Sequence, residues 1–210
     1  MSPTVFVVDD DAALREALVQ LLEAAGLQVE SYAHGGAFLA AFHEDRSGCL
    51  LLDVAMPGMT GLEVQGELKR RGSPIPIVFL TGHGDIPMAV RAVQAGAVDF
   101  LEKPMTGVAL LERVHRALAL DGEARHARAL SREVADRARR LSPREREVMA
   151  MVVSGSSSKE AARLLGISVR TVEAHRTHVM HKMGATNLAE LVALAAHCDP
   201  VTLAVLTHSD

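Results

Sequence analysis

The chain has 210 residues, which is room for one large or two small domains, and 49% of them are hydrophobic, enough for a packed core. No apolar run approaches the roughly 20 residues that cross a bilayer, and the N-terminus leads into a strand-like segment without a basic signal region. These features exclude a membrane-spanning protein and predict a cytoplasmic one that does not bind membranes.

Charge is distributed unevenly along the chain. Residues 1–118 carry 9 Lys and Arg against 15 Asp and Glu, a net charge of −6, whereas residues 119–140 have a net charge of +2 and residues 141–210 a net charge of zero. The acidic first part suits a cation site. The neutral last part argues against tight nonspecific binding of nucleic acid by a monomer, because such binding needs a surplus of Lys and Arg.

The first 118 residues alternate strand-like and helix-like segments. The strand-like segments are nearly all apolar and are predicted at Thr4–Val8, Gln28–Tyr32, Cys49–Leu52, Ile77–Leu80 and Val98–Leu101. The helices are predicted at Ala12–Ala25, Gly35–His43, Gly61–Arg71, Pro87–Ala95 and Gly107–Ala119. Five successive βα repeats predict an α/β domain with an open parallel sheet covered by helices on both faces.

Residues 119–140 have a different character, being charged, rich in Ala and free of Pro. We expect a solvated helix that continues the preceding one, weakened at Gly122, and connects two domains. The thin apolar stripe that includes Leu118, Ala129 and Val134 leaves a coiled-coil pairing open as the alternative.

From Leu141 the chain is predicted to form four short helices. The first has a strong start signal, with Ser142 at the N-cap, Pro143 at the first helical position and Glu145 two residues later. The short helix, glycine turn and longer helix that follow have the outline of a helix-turn-helix. The short and the longer helix are predicted at Ser158–Leu165 and from Ser168 to about Met183, and the last of the four helices is predicted at Asn187–His197. The predicted organisation is a domain over 1–118, a linker over 119–140, a helical domain over 141–200 and a tail over 201–210.

Cysteine and histidine usage indicates neither a disulfide nor a zinc site. Cys49 and Cys198 lie far apart and are predicted to be reduced thiols of a cytosolic protein. His175, His178 and His181 recur every three residues, so they turn around a helix and make a poor tetrahedral site.

Polar side chains follow four of the apolar runs. They are Asp9, Asp10 and Asp11 after the first run, Asp53 after Leu50–Leu52, Thr81 after Ile75–Leu80, and Lys103 with Pro104 after Val98–Leu101. Parallel strands end at one edge of a sheet, so these groups are predicted to converge there. Carboxylates, a hydroxyl and an ammonium suit a divalent cation and a phosphoryl group. Each feature alone fits a helix cap or a turn, but their recurrence at successive strand ends favours one site.

The segments VVDDD, LLLDVAMPGMTGLE and IPIVFLTGHGDIPMAVRAVQAGAVDFLEKP resemble the receiver domain of a two-component response regulator, over residues 1 to about 120. The resemblance implies a flavodoxin-like, doubly wound sheet of five parallel strands, with Asp53 as the phospho-acceptor. It implies a bound Mg²⁺ (or Mn²⁺) with Asp10 on the metal, Asp9 acting largely through water, and Asp53 and the Ala55 carbonyl as further ligands. Switch or phosphate-contact roles fall on Thr81, Phe100 and Lys103, and the peptide bond before Pro104 is implied to be cis.

The same resemblance implies a switch that reaches a dimer surface. A phosphoryl group adds charge and acceptors that draw Thr81 inward, and Phe100 then fills the vacated space. Similarity to FixJ-type receivers places the dimer face on the predicted fourth helix, at Met88, Arg91, Ala92 and Ala95.

The segments LSPRERE, KEAARLLGIS, RTVEAHRTHVMHKMG and AELVALA resemble the helix-turn-helix of NarL/FixJ (LuxR-type) regulators over residues 141–196. The resemblance implies an all-α domain with Val169–Lys182 as the recognition helix and with Glu173, Ala174 and Thr177 facing bases. The implied phosphate contacts are Lys159, Arg170, Thr171, Arg176 and Lys182. The stretch SGSSSKE departs from the family pattern, which usually has an apolar residue and Asn before Lys159.

These features predict a phosphorylation-dependent transcriptional regulator, which is not an enzyme apart from self-catalysed phosphotransfer and dephosphorylation. Its expected partners are a histidine kinase, promoter DNA, RNA polymerase and, on phosphorylation, a second copy of the chain. Three alternatives compete. A phosphatase would need a second acid where Ala55 stands, an FMN binder would need a phosphate loop after the first strand, and a receiver with a protein-binding helical module would not bind DNA.

Overall fold

The computed structural model describes residues 2–43, 45–82 and 96–198, and the chain divides into two compact units, Met1–Arg125 and His126–Asp210. In this described part of the chain, no helix combines the length and the apolar character that crossing a membrane requires.

The first unit is built on a five-stranded sheet in which every neighbouring pair of strands is parallel. The strand order is β2-β1-β3-β4-β5. The strands are β1 (Thr4–Val8), β2 (Gln28–Tyr32), β3 (Gly48–Asp53), β4 (Ile77–Thr81) and β5 (Asp99–Glu102). Three helices lie between them in the described chain: α1 (Ala12–Ala24), α2 (Gly35–Ala41) and α3 (Gly61–Arg70).

Alternate side chains of the three central strands build two apolar cores. Phe6, Leu50 and Phe79 belong to one cluster with α2 and α3, whereas Val5 and Leu51 belong to a second cluster with α1 and with the helix after β5. Because both faces are covered, these strands are apolar throughout, which explains why their sequence runs were recognisable.

The predicted fold class, a doubly wound parallel sheet plus a small all-α domain, is confirmed. In the first unit, the five strands and three of the four helices that can be compared begin and end within a few residues of their predicted limits. The exception is the helix after β5. The predicted fourth helix, Pro87–Ala95, lies outside the described residues.

The helix after β5, α4, runs from Gly107 to Arg139 and therefore continues well beyond the predicted end at Ala119. The expected continuation into residues 119–140 is thus observed, and Gly122 does not interrupt it. The connector is not solvated along its whole length, because Asp121, Val134 and Ala138 are buried.

Asp121 is only 1% exposed and binds to the segment before β3. Its Oδ2 accepts hydrogen bonds from the Ser47 hydroxyl at 2.7 Å and from the Gly48 amide at 2.9 Å. It also pairs with Arg125 one turn later at 2.8 Å, and the Arg125 guanidinium in turn donates to the carbonyls of Asp45 and Arg46. This group, which we call the Asp121 clasp, fixes α4 to the sheet at the edge where the strands begin.

Up to residue 198, where the described part of the chain ends, the second unit contains four helices after α4: α5 (Pro143–Val153), α6 (Ser158–Leu165), α7 (Val169–Met183) and α8 (Leu188–Ala195). Ser142 and Ser157 form capping boxes with Glu145 and Glu160, so the start signal predicted at Ser142 is confirmed. Helices α6 and α7 end at glycines in the left-handed conformation, where φ is 65° and 70°. Only glycine adopts this conformation at little cost, and it satisfies the last carbonyls of a helix.

The core of the second unit includes residues of α4. Val134 and Ala138 of α4, and Leu141 two residues after its end, are buried in the same cluster as Val148 and Met183. The domain limits predicted at residues 118 and 141 stay predictions, and this packing favours an earlier start for the second domain.

Candidate functional site

Three carboxylates meet where β1 and β3 end. Ligand oxygens of Asp9, Asp10 and Asp53 all lie within 4.8 Å of one another. Asp9 and Asp53 are buried, whereas Asp10 is exposed. Carboxylate oxygens at this spacing are the donors that Mg²⁺ and Mn²⁺ prefer, so the residues present fit a divalent cation.

An ammonium group already balances part of this charge. Lys103 Nζ lies 2.7 Å from Asp9 Oδ2 and 3.1 Å from Asp53 Oδ1. Its backbone amide donates to the Thr81 carbonyl at 2.7 Å, and the peptide bond between Lys103 and Pro104 is cis. Burial works against the charged form of Lys103, but the hydrogen bonds to the two carboxylates outweigh it and raise the pKa of the ammonium.

Asp9 is held by protein groups on both carboxylate oxygens. Oδ1 accepts the Asp11 amide at 2.9 Å, Oδ2 accepts Lys103, and the main-chain carbonyl of Asp9 accepts Arg15 Nη1 at 2.7 Å. Asp10 is exposed at the same edge of the sheet. The Asp10 carboxylate is therefore more accessible to a cation from solvent than that of Asp9.

Asp53 is the last residue of the central strand and is 5% exposed. Burial raises the pKa of its carboxyl, and the hydrogen bond from Lys103 only partly opposes that effect. The Ala55 amide lies 3.5 Å from Asp53 Oδ1, and Ala55 itself is exposed. A carboxylate that is buried yet next to an ammonium is suited to act as a nucleophile once its charge is balanced.

Gly61 supports this strand end and was not singled out from the sequence. A Cβ at Gly61 would lie 2.3 Å from the Asp53 carbonyl oxygen and 3.0 Å from the Phe79 ring. Only glycine allows α3 to start so close to β3, since any side chain would push the end of the strand away. The sequence signal was present, because Gly61 is the first residue of the predicted helix and follows Asp53 by eight residues.

Thr81 and Phe100 lie on the two strands beside the cluster. Thr81 ends β4, is buried, and its hydroxyl donates to the Gly82 carbonyl at 3.2 Å. Phe100 pairs with Phe79 across β4 and β5, and its side chain is 44% exposed. The predicted dimer-face residues lie outside the described part of the chain; they are Met88, Arg91, Ala92 and Ala95.

The second unit presents the predicted DNA contacts mainly on α7. Ser168 caps this helix by accepting the Thr171 amide at 3.0 Å. Val172, Val179 and Met183 face the core. The exposed predicted contacts are Lys159, Arg170, Thr171, Glu173, Ala174 and Thr177, whereas Arg176 and Lys182 are partly buried.

Several of these side chains already have partners within the unit. Lys182 Nζ binds the buried Glu145 at 2.6 Å and 2.9 Å, and Arg176 Nη1 donates to the Ser158 hydroxyl at 3.2 Å. The Thr177 hydroxyl donates to the Glu173 carbonyl at 3.0 Å, which leaves its methyl group and its acceptor lone pairs for a ligand. The Thr171 hydroxyl also lies 2.7 Å from the Ser168 hydroxyl, so Arg170, which is exposed in the first turn of α7, is more available to a phosphate than Lys182.

The chain matches the family model described as the response regulator receiver domain over residues 5–115, and the model described as bacterial regulatory proteins, luxR family, over residues 139–195. It is a two-component response regulator. Both domains of the predicted family are thus confirmed, and the regulator has a receiver joined to a LuxR-type DNA-binding domain.

Whole-length relatives agree with this assignment. The regulator is 44% identical to the transcriptional regulatory protein FixJ of Bradyrhizobium diazoefficiens over 91% of this chain and 93% of that protein. It is 43% identical to the response regulator protein TodT of Pseudomonas putida over 90% of this chain and 83% of that protein.

Solved structures of similar proteins match nearly the whole chain. The response regulator StyR matches with a TM-score of 0.84 at 43% identity, covering 93% of this chain and 99% of that one. Full-length FixJ from B. japonicum matches with a TM-score of 0.59 at 43% identity, covering 94% and 98%. The regulator is therefore a DNA-binding regulator of transcription, and its receiver implies a kinase partner.

Proposed function

We propose that Asp53 accepts a phosphoryl group from a partner histidine kinase, with Mg²⁺ held by Asp10, Asp53 and the Ala55 carbonyl and supported by Asp9. The observation that carries this proposal is the position of Lys103, whose ammonium lies within 3.1 Å of carboxylate oxygens from two strand ends. A lysine that bridges these carboxylates stands where it can also contact a phosphoryl group added to one of them.

In the proposed reaction an Asp53 carboxylate oxygen attacks phosphorus, the P–N bond of a phosphohistidine breaks, and its electron pair leaves with the imidazole. A bound Mg²⁺ would neutralise charge shared by the carboxylates and the phosphoryl oxygens. Lys103 would move from Asp53 to a phosphoryl oxygen while Asp9 keeps it near the site. Burial raises the pKa of Asp53 and disfavours the ionised carboxylate, whereas the Lys103 ammonium opposes that effect, as a bound cation also would.

The response to phosphorylation is proposed to run through Thr81 and Phe100. The Thr81 hydroxyl now donates to a neighbouring carbonyl, and it would turn to the stronger acceptor that a phosphoryl oxygen provides. Phe100 is 44% exposed, so moving the ring into space left by Thr81 would bury apolar surface. The changed face would then promote a homodimer through Met88, Arg91, Ala92 and Ala95.

The test compares Asp53→Asn with Asp45→Asn, a control at an exposed Asp. Each full chain is incubated with acetyl phosphate and Mg²⁺, and phosphorylation is measured as an acid-labile gain of one phosphoryl group by mass spectrometry. We expect wild type and Asp45→Asn to be labelled and Asp53→Asn to remain unlabelled. Labelling of Asp53→Asn would reject the acceptor assignment.

For the second domain we propose that α7 is the recognition helix and that a phosphorylated dimer binds two half-sites in promoter DNA. We further propose that the protein acts in the cytoplasm, with RNA polymerase as another partner. The support for the recognition helix is the exposed face of α7, on which Arg170, Glu173 and Thr177 lie. Because this domain is neutral overall, one copy should bind weakly and a dimer much more tightly. A titration of duplex DNA at several salt concentrations tests this, since binding without salt dependence would favour a protein-binding module.

A further inference from the structure

The last turns of α4 belong to the DNA-binding unit although they precede residue 139, where the LuxR-type family match begins. Val134 and Ala138 are buried in the same cluster as Val179 and Met183 of α7, and Leu130 packs against that cluster. This part of α4 therefore contacts the helix proposed to enter the major groove.

Arg137 makes the polar contact between these two helices. Its Nη1 donates to the main-chain carbonyl of Met183 at 2.8 Å, and its Nη2 donates to Glu133 Oε1 at 2.6 Å. Met183 is the last residue of α7, so its carbonyl is among the last four of the helix, which no amide of the same helix can reach. A guanidinium at this position also places positive charge at the negative end of the helix.

The glycine that follows α7 leaves room for this contact. Gly184 has φ of 70°, and a Cβ there would lie 2.8 Å from Arg137 Nη1. On another side, the neighbouring Lys182 binds the buried Glu145 at 2.6 Å. The C-terminal turn of α7 is thus fixed by side chains from both α4 and the start of α5.

The contacts of Arg137 and Lys182 hold the C-terminal end of α7, and Val172 and Val179 hold its inner face in the core, so loss of an end contact would permit a small tilt of the helix. Glu173 and Thr177 lie ten and six residues before Met183, which is about 15 Å and about 9 Å along a helix. A tilt of about 5° at the fixed end would move Glu173 by about 1.3 Å over that length. Base readout needs positions correct to within about 0.5 Å, so such a tilt would weaken base contacts more than contacts to the flexible phosphate backbone.

We propose that Arg137 is a positioning residue for sequence-specific DNA binding, which sets the angle of α7 by holding its C-terminal carbonyl. The inference rests on the proposed role of α7 as the recognition helix. Arg137 itself touches no base or phosphate in this proposal, and its effect passes through Met183.

The experiment uses the full chain, treated with acetyl phosphate and Mg²⁺, and variants at two positions of α4. Arg137→Met keeps an unbranched side chain of similar helix propensity but removes the guanidinium. The matched control is Arg139→Met, which removes the same charge from an exposed side chain that pairs with Asp136 on its own helix. Arg137→Lys restores a charged donor and tests for rescue.

The probes are two duplexes of about 30 base pairs, long enough for two half-sites. One is selected by the wild-type protein from a random pool and the other is its scrambled sequence. Dissociation constants are measured by fluorescence anisotropy at a temperature at which circular dichroism shows every variant folded. Hydrogen exchange of the peptide covering residues 178–184 reports whether the last turn of α7 has loosened.

We expect Arg137→Met to weaken binding to the selected duplex about five- to tenfold, and to the scrambled duplex no more than Arg139→Met does, with faster hydrogen exchange at residues 178–184. Arg137→Lys should recover part of the loss. Equal behaviour of Arg137→Met and Arg139→Met would overturn the inference, as would an equal loss on both duplexes. Failure of the wild type to select any duplex would reject the recognition helix itself, and this proposal with it.

Discussion

Replacing Asp121 by Ala removes the acceptor at the centre of the Asp121 clasp. The carboxylate is 1% exposed and accepts the Gly48 amide, the Ser47 hydroxyl and the Arg125 guanidinium. Without it, the buried Gly48 amide has lost its partner, whereas Ser47 is partly exposed and can turn to water.

The size of the effect follows from these contacts. An unsatisfied buried amide costs about 1–3 kcal/mol, and the lost ion pair adds about 1 kcal/mol because Arg125 keeps its two carbonyl partners. We therefore expect Asp121→Ala to lower the free energy of unfolding of the first unit by about 3 kcal/mol. With a urea dependence of about 2 kcal/mol per molar, the unfolding midpoint should fall by about 1.5 M.

The chain offers a probe that reports on the first unit alone. It has one Tyr and no Trp, and Tyr32 lies in β2, where its hydroxyl donates to Glu30 at 2.9 Å. Urea unfolding followed by tyrosine fluorescence of the full chain therefore measures the receiver and not the DNA-binding unit.

Glu123→Ala is the matched control, since it removes an exposed carboxylate from the same turn of α4. It should leave the midpoint nearly unchanged, because an exposed charge contributes little. If Asp121→Ala shifted the midpoint no more than Glu123→Ala, the clasp would not stabilise the receiver and the reasoning would be refuted.

Two further predictions concern the DNA-binding unit. Burial opposes the charge of Glu145, but the hydrogen bonds from Lys182 and Ser142 outweigh it and hold the pKa of the carboxyl below its ordinary value of 4.5. The free energy that ionised Glu145 contributes to folding is therefore fully present above pH 4.5, and it is lost as the pH falls through the lowered pKa. Glu145→Gln should lower the free energy of unfolding by about 1–2 kcal/mol at neutral pH. This value is kept small because Lys182 is 37% exposed and solvent screens the pair. The difference in unfolding free energy between the variant and the wild type should become smaller in acid. Urea unfolding by circular dichroism, with the tyrosine-detected transition subtracted, measures this, and a difference that grew in acid would contradict it. Arg170→Ala should weaken binding to all duplexes and flatten the salt dependence, whereas Thr177→Ala should change the sequence preference, as measured by selection from a random pool. An unchanged preference would show that the Thr177 methyl group does not face a base.

The sheet and the acidic cluster were predictable because their signals are local. Buried parallel strands are apolar throughout, and the polar residues that end them, such as Asp53 and Thr81, stand out against those runs. The same holds for Ser142 and Glu145, whose spacing specifies a helix start.

Contacts between distant segments left no comparable signal. Asp121 and Arg125 lie in a charged, Ala-rich stretch typical of a solvated helix, yet their partners are more than 70 residues earlier in the chain. Val134 and Ala138 form too thin a stripe to predict burial without knowing what packs against them. Lys182 was predicted to contact phosphate because its charge was visible in the sequence while its pairing with Glu145 was not.

Lys103 gives the receiver an internal counterion. With one ammonium shared between Asp9 and Asp53, the repulsion that would splay two neighbouring strand tips is already offset by the chain itself. Folding of the receiver should therefore not require a bound divalent ion, unlike the folding of small domains that are unfolded without their metal. If phosphorylation needs a divalent ion, as proposed, loss of the ion should silence the receiver without unfolding it, and its return should restore signalling.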